Sequence, residues 1–79
     1  MNSTIEILAF GQIIDITGQK AWQMEGVSDI DELKASLVNK YPAIGSAEYR
    51  IAINMEIIRG NVKLKPGDVV ALLPPFSGG

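Results

Sequence analysis

The groups that most often perform chemistry in proteins are scarce in this chain of 79 residues. It has no cysteine, and so no thiolate nucleophile, thiolate metal site or disulfide. It has no histidine, which removes the usual general base near neutral pH and the commonest metal ligand. Serine, aspartate, glutamate, lysine and tyrosine remain, but none falls into a recognisable catalytic spacing. We therefore expect neither a metal site nor a self-contained enzyme.

The chain ends in the sequence Leu73-Pro74-Pro75-Phe76-Ser77-Gly78-Gly79, whose last group is a backbone carboxylate. The prolines hold the segment extended and stop strand hydrogen bonding beyond Leu73. The glycines have no Cβ, so the Gly79 carboxylate lies at a narrow tip that accepts backbone angles closed to other residues. The six residues 74–79 reach ~20 Å when extended, enough to enter a neighbouring protein. A frayed end or a cloning remnant is the alternative interpretation of the two glycines.

A packed domain must hold that tail, and sequence periodicity predicts its strands. Alternation predicts strands at residues 3–10 and 20–25, with a short helix or turn at residues 11–18 between them. Two short strands are predicted at residues 49–54 and 57–59, around a tight connection formed by Asn54, Met55 and Glu56. Residues 65–68 fit a type II turn. The apolar run at residues 69–73 is typical of a strand buried on both faces, in the middle of a sheet.

A single long helix is predicted over residues 29–40. Ser28 is the expected N-cap, and Pro42 prevents the helix from continuing. One apolar stripe recurs at helical spacing and is expected to face the sheet; it comprises Ile30, Leu33, Leu37, Val38 and Tyr41.

Together these elements predict an α+β fold in which a mixed sheet packs on one main helix. If the first and last strands are central neighbours they pair in parallel, because the chain crosses over through the helix between them. We expect residues 1–73 to form the packed domain and residues 74–79 to form a flexible tail. Leu8, Phe10, Trp22 and Met24 are either core residues or part of an exposed partner surface.

Composition excludes several other classes of function. The chain is 47% hydrophobic and 20% charged, with a net charge of −2, which is typical of a globular protein. Its seven basic residues are scattered and form neither a nucleic-acid stripe nor a polybasic membrane cluster. No apolar run approaches the ~20 residues that span a bilayer. We expect a cytoplasmic protein with no nucleic-acid or membrane partner.

The sequence from Gly67 to Gly79, GDVVALLPPFSGG, resembles the ending of the MoaD family, the small ubiquitin-like sulfur carriers of molybdopterin synthase. The resemblance covers the whole chain and implies a β-grasp fold. The thiamine sulfur carrier ThiS shares the Gly-Gly ending, but the two prolines and the length favour MoaD. Two positions depart from the family pattern. Leu73 stands where an aromatic often precedes the prolines, and Ile14 stands where some members carry arginine.

The resemblance also implies a function. The Gly79 carboxylate would be adenylated and then converted to a thiocarboxylate, with Gly78 beside it, for donation of sulfur to cyclic pyranopterin monophosphate. The implied partners are the large molybdopterin synthase subunit, an adenylating activating enzyme that uses ATP, and the pterin precursor in the complex. No cofactor would be bound by the chain itself. Partner contacts are expected from the rest of the tail, which consists of Leu73, Pro74, Pro75, Phe76 and Ser77.

Three other functions remain open from the sequence. The first is a sulfur carrier for thiamine, tungsten-cofactor or tRNA thiolation chemistry, the second is a ubiquitin-like modifier joined through Gly79 to target proteins, and the third is an interaction domain with no chemistry. Phe76 is expected to contact a partner, although it is also able to fold back into the core.

Overall fold

Within residues 4–75, five strands form one mixed sheet, and the last of these strands in the sequence lies at its centre. The computed structural model describes residues 4–75. The elements are β1 (Ile5–Ala9), α1 (Gln12–Thr17), β2 (Ala21–Met24), α2 (Ile30–Lys40), a 3-10 helix (Pro42–Ser46), β3 (Arg50–Ile53), β4 (Glu56–Ile57) and β5 (Val69–Leu73). The strand order is β2-β1-β5-β3-β4, with β1 and β5 parallel and the other pairs antiparallel. The predicted parallel pairing of the first and last strands is confirmed.

The sheet buries one face against α2, and the alternation of each strand selects that face. In β1, Ile5, Ile7 and Ala9 are buried as predicted. In β5, Val70 and Leu72 are fully buried on the same face, since Ile7 pairs with Val70 and Ala9 with Leu72. These side chains form one core cluster with the buried residues of α2.

The opposite face of β5 is less enclosed than predicted. Val69, Ala71 and Leu73 are half-buried rather than buried, so the expectation of a strand covered on both faces is wrong. The α-helix α2 packs on the other face of the sheet, so the apolar run in β5 does not by itself reveal a second covering layer.

Trp22 and Met24 join the core rather than a partner surface. Trp22 lies opposite Ile7 and Met24 opposite Ile5, so both point to the α2 side of the sheet. Both are partly buried against the core cluster. The Trp22 ring also meets the Tyr41 ring edge to face, with centroids 6.1 Å apart.

The start of α2 differs by one residue from the prediction. Asp29, not Ser28, is the N-cap: its carboxylate accepts a hydrogen bond from the Glu32 backbone N–H at 2.9 Å. Glu32 reaches back in turn and accepts a bond from the Ser28 backbone N–H at 2.7 Å. The two carboxylates thus satisfy backbone donors at the helix entrance, and Ser28 lies just outside it.

The apolar stripe of α2 is narrower than predicted. Ile30, Leu33 and Leu37 are buried in the core, but Val38 is 40% exposed. Val38 lies one position past Leu37, which turns it by about 100° around the helix. It lines an open cleft beside Gly45.

Both predicted turns form, with one change of length. Gly67 has a φ of +88°, and the Asp68 backbone N–H donates to the Lys65 carbonyl at 3.1 Å, as a type II turn requires. The connection between β3 and β4 has two residues, Asn54 and Met55, not three. β4 therefore begins at Glu56 and ends at Ile57, before the predicted end at Arg59.

Candidate functional site

The topology of the sheet brings three chain segments to the point where the tail begins. Because β1 runs parallel to β5, the residues after β1 lie beside the end of β5. Because β3 runs antiparallel to β5, its first residue, Arg50, lies there too, opposite Leu73. We call Leu73, Pro74 and Pro75 the tail base. Of the predicted site residues, these three lie within the described part of the chain, whereas Phe76, Ser77, Gly78 and Gly79 lie outside it.

Gly11 meets the tail base from the β1 side. Its backbone has φ of 60° and ψ of −136°, a conformation that is essentially restricted to glycine. A Cβ atom at this position would lie 3.0 Å from Cγ of Pro74, closer than ordinary van der Waals contact. The absence of a side chain at Gly11 therefore lets the Pro74 ring pack directly on the turn between β1 and α1.

Arg50 meets the tail base from the β3 side. Its Nε–H donates a hydrogen bond of 3.4 Å to the Pro75 carbonyl, a long bond made from an exposed side chain. Proline has no backbone N–H of its own, so the carbonyl is the only backbone hydrogen-bonding group that Pro75 offers. The tail base is thus in contact with the domain on both sides.

Sequence reasoning found the tail base but missed Gly11 and Arg50. Gly11 lies 63 positions before Pro74, and Arg50 lies 25 positions before Pro75, so each meets its partner only through the order and register of the strands. The available signals were a glycine directly before α1 and a basic residue at the start of β3. Neither signal points to the tail until the positions of β1 and β3 on either side of β5 are known.

Two open clefts meet at Pro75. The larger has a volume of about 660 Å³ and lies between α2, the 3-10 helix and the β3–β4 hairpin, with Val38, Tyr49 and Arg50 among its lining residues. The smaller, of about 460 Å³, is lined by Gln12, Ser46, Glu48, Pro74 and Pro75. Burial raises the pKa of the Tyr49 phenol above its ordinary value, so this lining group is neutral in the physiological range.

The sheet also presents an apolar surface on the side away from α2. We call it the open face. Its accessible residues are Leu8, Phe10, Ile57, Ala71 and Leu73, and the buried Ala52 lies among them. Register places Ala52 opposite both Ala71 and Ile57, and Leu8 opposite Ala71, so these side chains share one side of the sheet. Phe10 is 42% exposed and Ile57 is 50% exposed. Leu73 belongs both to this face and to the tail base, so the two surfaces are continuous.

The described residues present an apolar surface beside the tail base. Within residues 4–75, no three His, Cys, Asp or Glu side chains are grouped in a way that would hold a metal ion. No helix in the same range is long and apolar enough to cross a membrane. What the geometry provides is a tail base fixed between two elements, next to an apolar face.

A family model, a related sequence and a solved structure each match most of this chain. The ThiS family model matches residues 7–79. A molybdopterin synthase sulfur carrier subunit from Chlamydomonas reinhardtii is 31% identical over 81 residues, which covers 95% of this chain and 98% of that protein. A chain from the complex of subunits 1 and 2 of the molybdopterin-converting factor from Helicobacter pylori 26695 is 33% identical with a TM-score of 0.74. That match covers 96% of this chain and 99% of the other.

A more distant structure extends the likeness of the fold. The small archaeal modifier protein 1 from Methanosarcina acetivorans has a TM-score of 0.79 and 24% identity, covering 100% of this chain and 99% of that chain. At this identity the likeness concerns the fold alone. It confirms the ubiquitin-like β-grasp architecture that the sequence predicts.

Proposed function

The chain belongs to the ThiS family, and we propose that it is the sulfur-carrier small subunit of molybdopterin synthase. The observation that carries this proposal is the likeness to the Chlamydomonas sulfur carrier subunit, which extends over 95% of the chain. The position of the tail base supports it, because a carrier must present its end away from its own core. Pro74 and Pro75 follow directly after the C-terminal end of β5, where the strand ladder stops.

In the proposed reaction the reacting group is the carboxylate of Gly79. One carboxylate oxygen attacks the α-phosphate of ATP on an adenylating enzyme, pyrophosphate leaves, and an acyl-adenylate forms. A reduced sulfur donor then attacks the acyl carbon and displaces AMP, which leaves a thiocarboxylate. The sulfur is finally transferred to cyclic pyranopterin monophosphate, and water restores the carboxylate. The part of this chain is to supply the acyl group and to present it.

The proposed partners follow from the same scheme. The H. pylori relative is described as a complex of subunits 1 and 2, which supports a large synthase subunit as the partner of this chain. We propose that the large subunit receives the tail and packs on the open face, because the tail base and the open face share Leu73. Since the adenylating enzyme consumes ATP, the proposed cycle operates in the cytoplasm. The chain itself would bind no cofactor.

Intact mass tests the proposal directly. The protein is incubated with ATP, the adenylating enzyme and a sulfur donor, and its mass is measured before and after. A gain equal to the difference between a sulfur atom and an oxygen atom, located in the C-terminal peptide, is the expected result. Transfer of that sulfur to the pterin precursor by the complex with the large subunit completes the test. An unchanged mass together with isopeptide-linked products in the cell would instead indicate a protein modifier.

A further inference from the structure

We propose that Gly11 and Arg50 are positioning residues that fix the direction in which the tail leaves the sheet. The inference rests on the proposed function, because it concerns how the reactive end reaches a partner. It goes beyond that function because neither residue takes part in the chemistry. Both act through the tail base, Gly11 on Pro74 and Arg50 on Pro75.

The argument for Arg50 begins with the rotational freedom of proline. The ring fixes φ of Pro75, so ψ is the one backbone angle that remains free at this residue. The Pro75 carbonyl lies in the plane of the peptide bond that follows, so its orientation and ψ change together. By donating to that carbonyl, Arg50 restrains the angle that sets the path of the residues beyond Pro75.

Gly11 acts on the preceding residue by steric means. The Pro74 ring packs where a Cβ of residue 11 would stand, and the built Cβ lies 3.0 Å from Cγ and 3.7 Å from Cβ of that ring. Any L side chain at position 11 would push the ring away from the β1–α1 turn. The turn and β3 therefore hold the tail base from opposite sides.

Holding the tail base lowers the conformational cost of inserting the tail into a partner. Restraining one residue before binding raises the association constant for the partner about five- to thirtyfold. Because the restraint acts on binding and not on the acyl carbon, its loss should raise KM for the adenylating enzyme and leave kcat nearly unchanged.

A pair of substitutions at Arg50 separates the hydrogen bond from the rest of the side chain. In Arg50→Gln, the side-chain nitrogen occupies the place of Nε along the chain and keeps a donor without the charge. Arg50→Met has similar length and no donor. We expect KM for adenylation to rise about five- to thirtyfold in Arg50→Met and to stay near the wild-type value in Arg50→Gln. Lys34→Met, which removes another cation from the lining of the larger cleft, is the matched control and should leave KM unchanged.

A double-mutant cycle tests Gly11. Gly11→Ala should raise KM, and the rise should largely disappear in a Pro74→Ala background, where the ring atom that the new Cβ meets is gone. Gly18→Ala is the control for an alanine at a positive-φ glycine (+74°) with no atom within 4 Å of a built Cβ. Because Gly18 is in the left-handed helical region and Gly11 is not, the strain specific to Gly11 is measured by Gly11→Ala in the Pro74→Ala background. Thermal unfolding of each variant verifies folding. If Gly11→Ala fails to fold, the Arg50 series alone decides.

A measurement on the isolated protein separates this inference from the proposed function. The ¹³C chemical shift of the Pro75 carbonyl should differ from the wild-type value in Arg50→Met and equal it in Arg50→Gln. This expectation holds whether or not the wild-type protein is adenylated. Failure of the wild type to be adenylated would contradict the proposed function only. An unchanged carbonyl shift in Arg50→Met would overturn the positioning role. So would wild-type KM in Arg50→Met, or an equal loss in Arg50→Met and Arg50→Gln.

Discussion

At the residue scale, the proposed function depends on groups with almost no side chain. Gly11 allows the Pro74 ring to pack on a turn, and the proposed reaction uses the backbone carboxylate of Gly79. A catalytic side chain is usually tuned through its pKa, whereas here the tuning is steric and conformational. Loss of function is therefore expected from changes that hardly affect the stability of the domain.

Deletion of Gly79 is the most direct case. It removes none of the core residues, so the melting temperature should equal that of the wild type. ATP-dependent activation should be abolished, because the terminal carboxylate then belongs to Gly78 and lies one residue, about 3.5 Å, short of the position it must reach. Gly78→Ala should impair activity more than folding. Pyrophosphate release by the adenylating enzyme measures this step. Near-normal sulfur transfer to the pterin precursor by the deletion variant would contradict the sulfur-carrier proposal.

The hairpin between β3 and β4 holds two neighbouring residues whose replacement by glycine should act in opposite directions. Met55 is 98% exposed at a φ of +74°, a conformation that costs a non-glycine residue about 1–2 kcal/mol. Met55→Gly should therefore stabilise the protein by about 0.5–1 kcal/mol after the extra unfolded-state entropy of glycine is subtracted. Asn54 also has positive φ, but its side chain accepts from the Val69 backbone N–H at 2.9 Å and donates to Asp68 at 3.0 Å.

Asn54→Gly should accordingly destabilise by about 1–2 kcal/mol, because it removes both side-chain hydrogen bonds while keeping the backbone conformation available. Urea unfolding of the two variants beside the wild type measures both effects. Equal effects of the same sign would show that the hairpin is not held by the Asn54 side chain.

At the scale of the elements, sequence periodicity predicted the buried faces of strands and helices. It missed the features that depend on packing between elements. The period of β1 and the helical spacing of Ile30, Leu33 and Leu37 placed the core correctly, because burial on one face is a property of the element itself. Val38 was misassigned because the width of the buried stripe depends on what α2 packs against. Gly11 and Arg50 were missed because their partner, the tail base, becomes adjacent only through the order of strands in the sheet.

The boundary of the buried stripe on α2 can be measured with two neighbouring residues. Leu37 is 1% exposed, so Leu37→Ala should cost about 2–5 kcal/mol of unfolding free energy through lost burial and the cavity left behind. Val38→Ala, at a side chain that is 40% exposed, should change stability by less than about 0.5 kcal/mol. If the two variants unfold at the same denaturant concentration, the orientation of α2 described above is incorrect.

At the scale of the whole molecule, the described residues measure 35 × 25 × 20 Å. The four residues 76–79 beyond the tail base reach about 14 Å when extended, more than half of the shortest of these dimensions. A partner is thus able to hold the open face at its surface while the tail enters a site well inside it. Two separate regions of contact follow from this, one apolar and wide, the other narrow and extended.

The open face should be needed for binding the large subunit. Ile57→Asp places a charge on that face and should weaken the complex, because burying an unpaired carboxylate is costly. Val38→Asp is the matched control, since Val38 is also β-branched and similarly exposed (40% against 50%) but lies on α2 and not in the sheet. Because Val38 and Ile57 both line the larger cleft, this control also accounts for any effect of a charge placed in that cleft. Isothermal titration calorimetry compares the two. Equal weakening by both variants, or by neither, would argue against the open face as the interface.

Tyr49 should make stability depend on alkaline pH. Burial raises its pKa above the ordinary value of 10.0, so the folded protein keeps the phenolic proton at a pH where the unfolded chain loses it. This contribution to stability is fully present below pH 10.0 and is lost as pH rises through the folded-state pKa. Unfolding free energy should fall less steeply above pH 10.0 in Tyr49→Phe than in the wild type. Parallel slopes would show that the phenol is not desolvated.

The central position of β5 has a mechanical consequence. A partner that draws in the tail pulls on β5 along its own axis, and β5 is bonded to β1 on one side and to β3 on the other. The hydrogen bonds of both ladders lie across the direction of pull, so they carry the load together in shear, whereas an edge hairpin pulled open would lose its bonds one at a time. The tail is thus tethered to the most force-resistant strand of the sheet, and it can be pulled taut without unravelling the domain behind it.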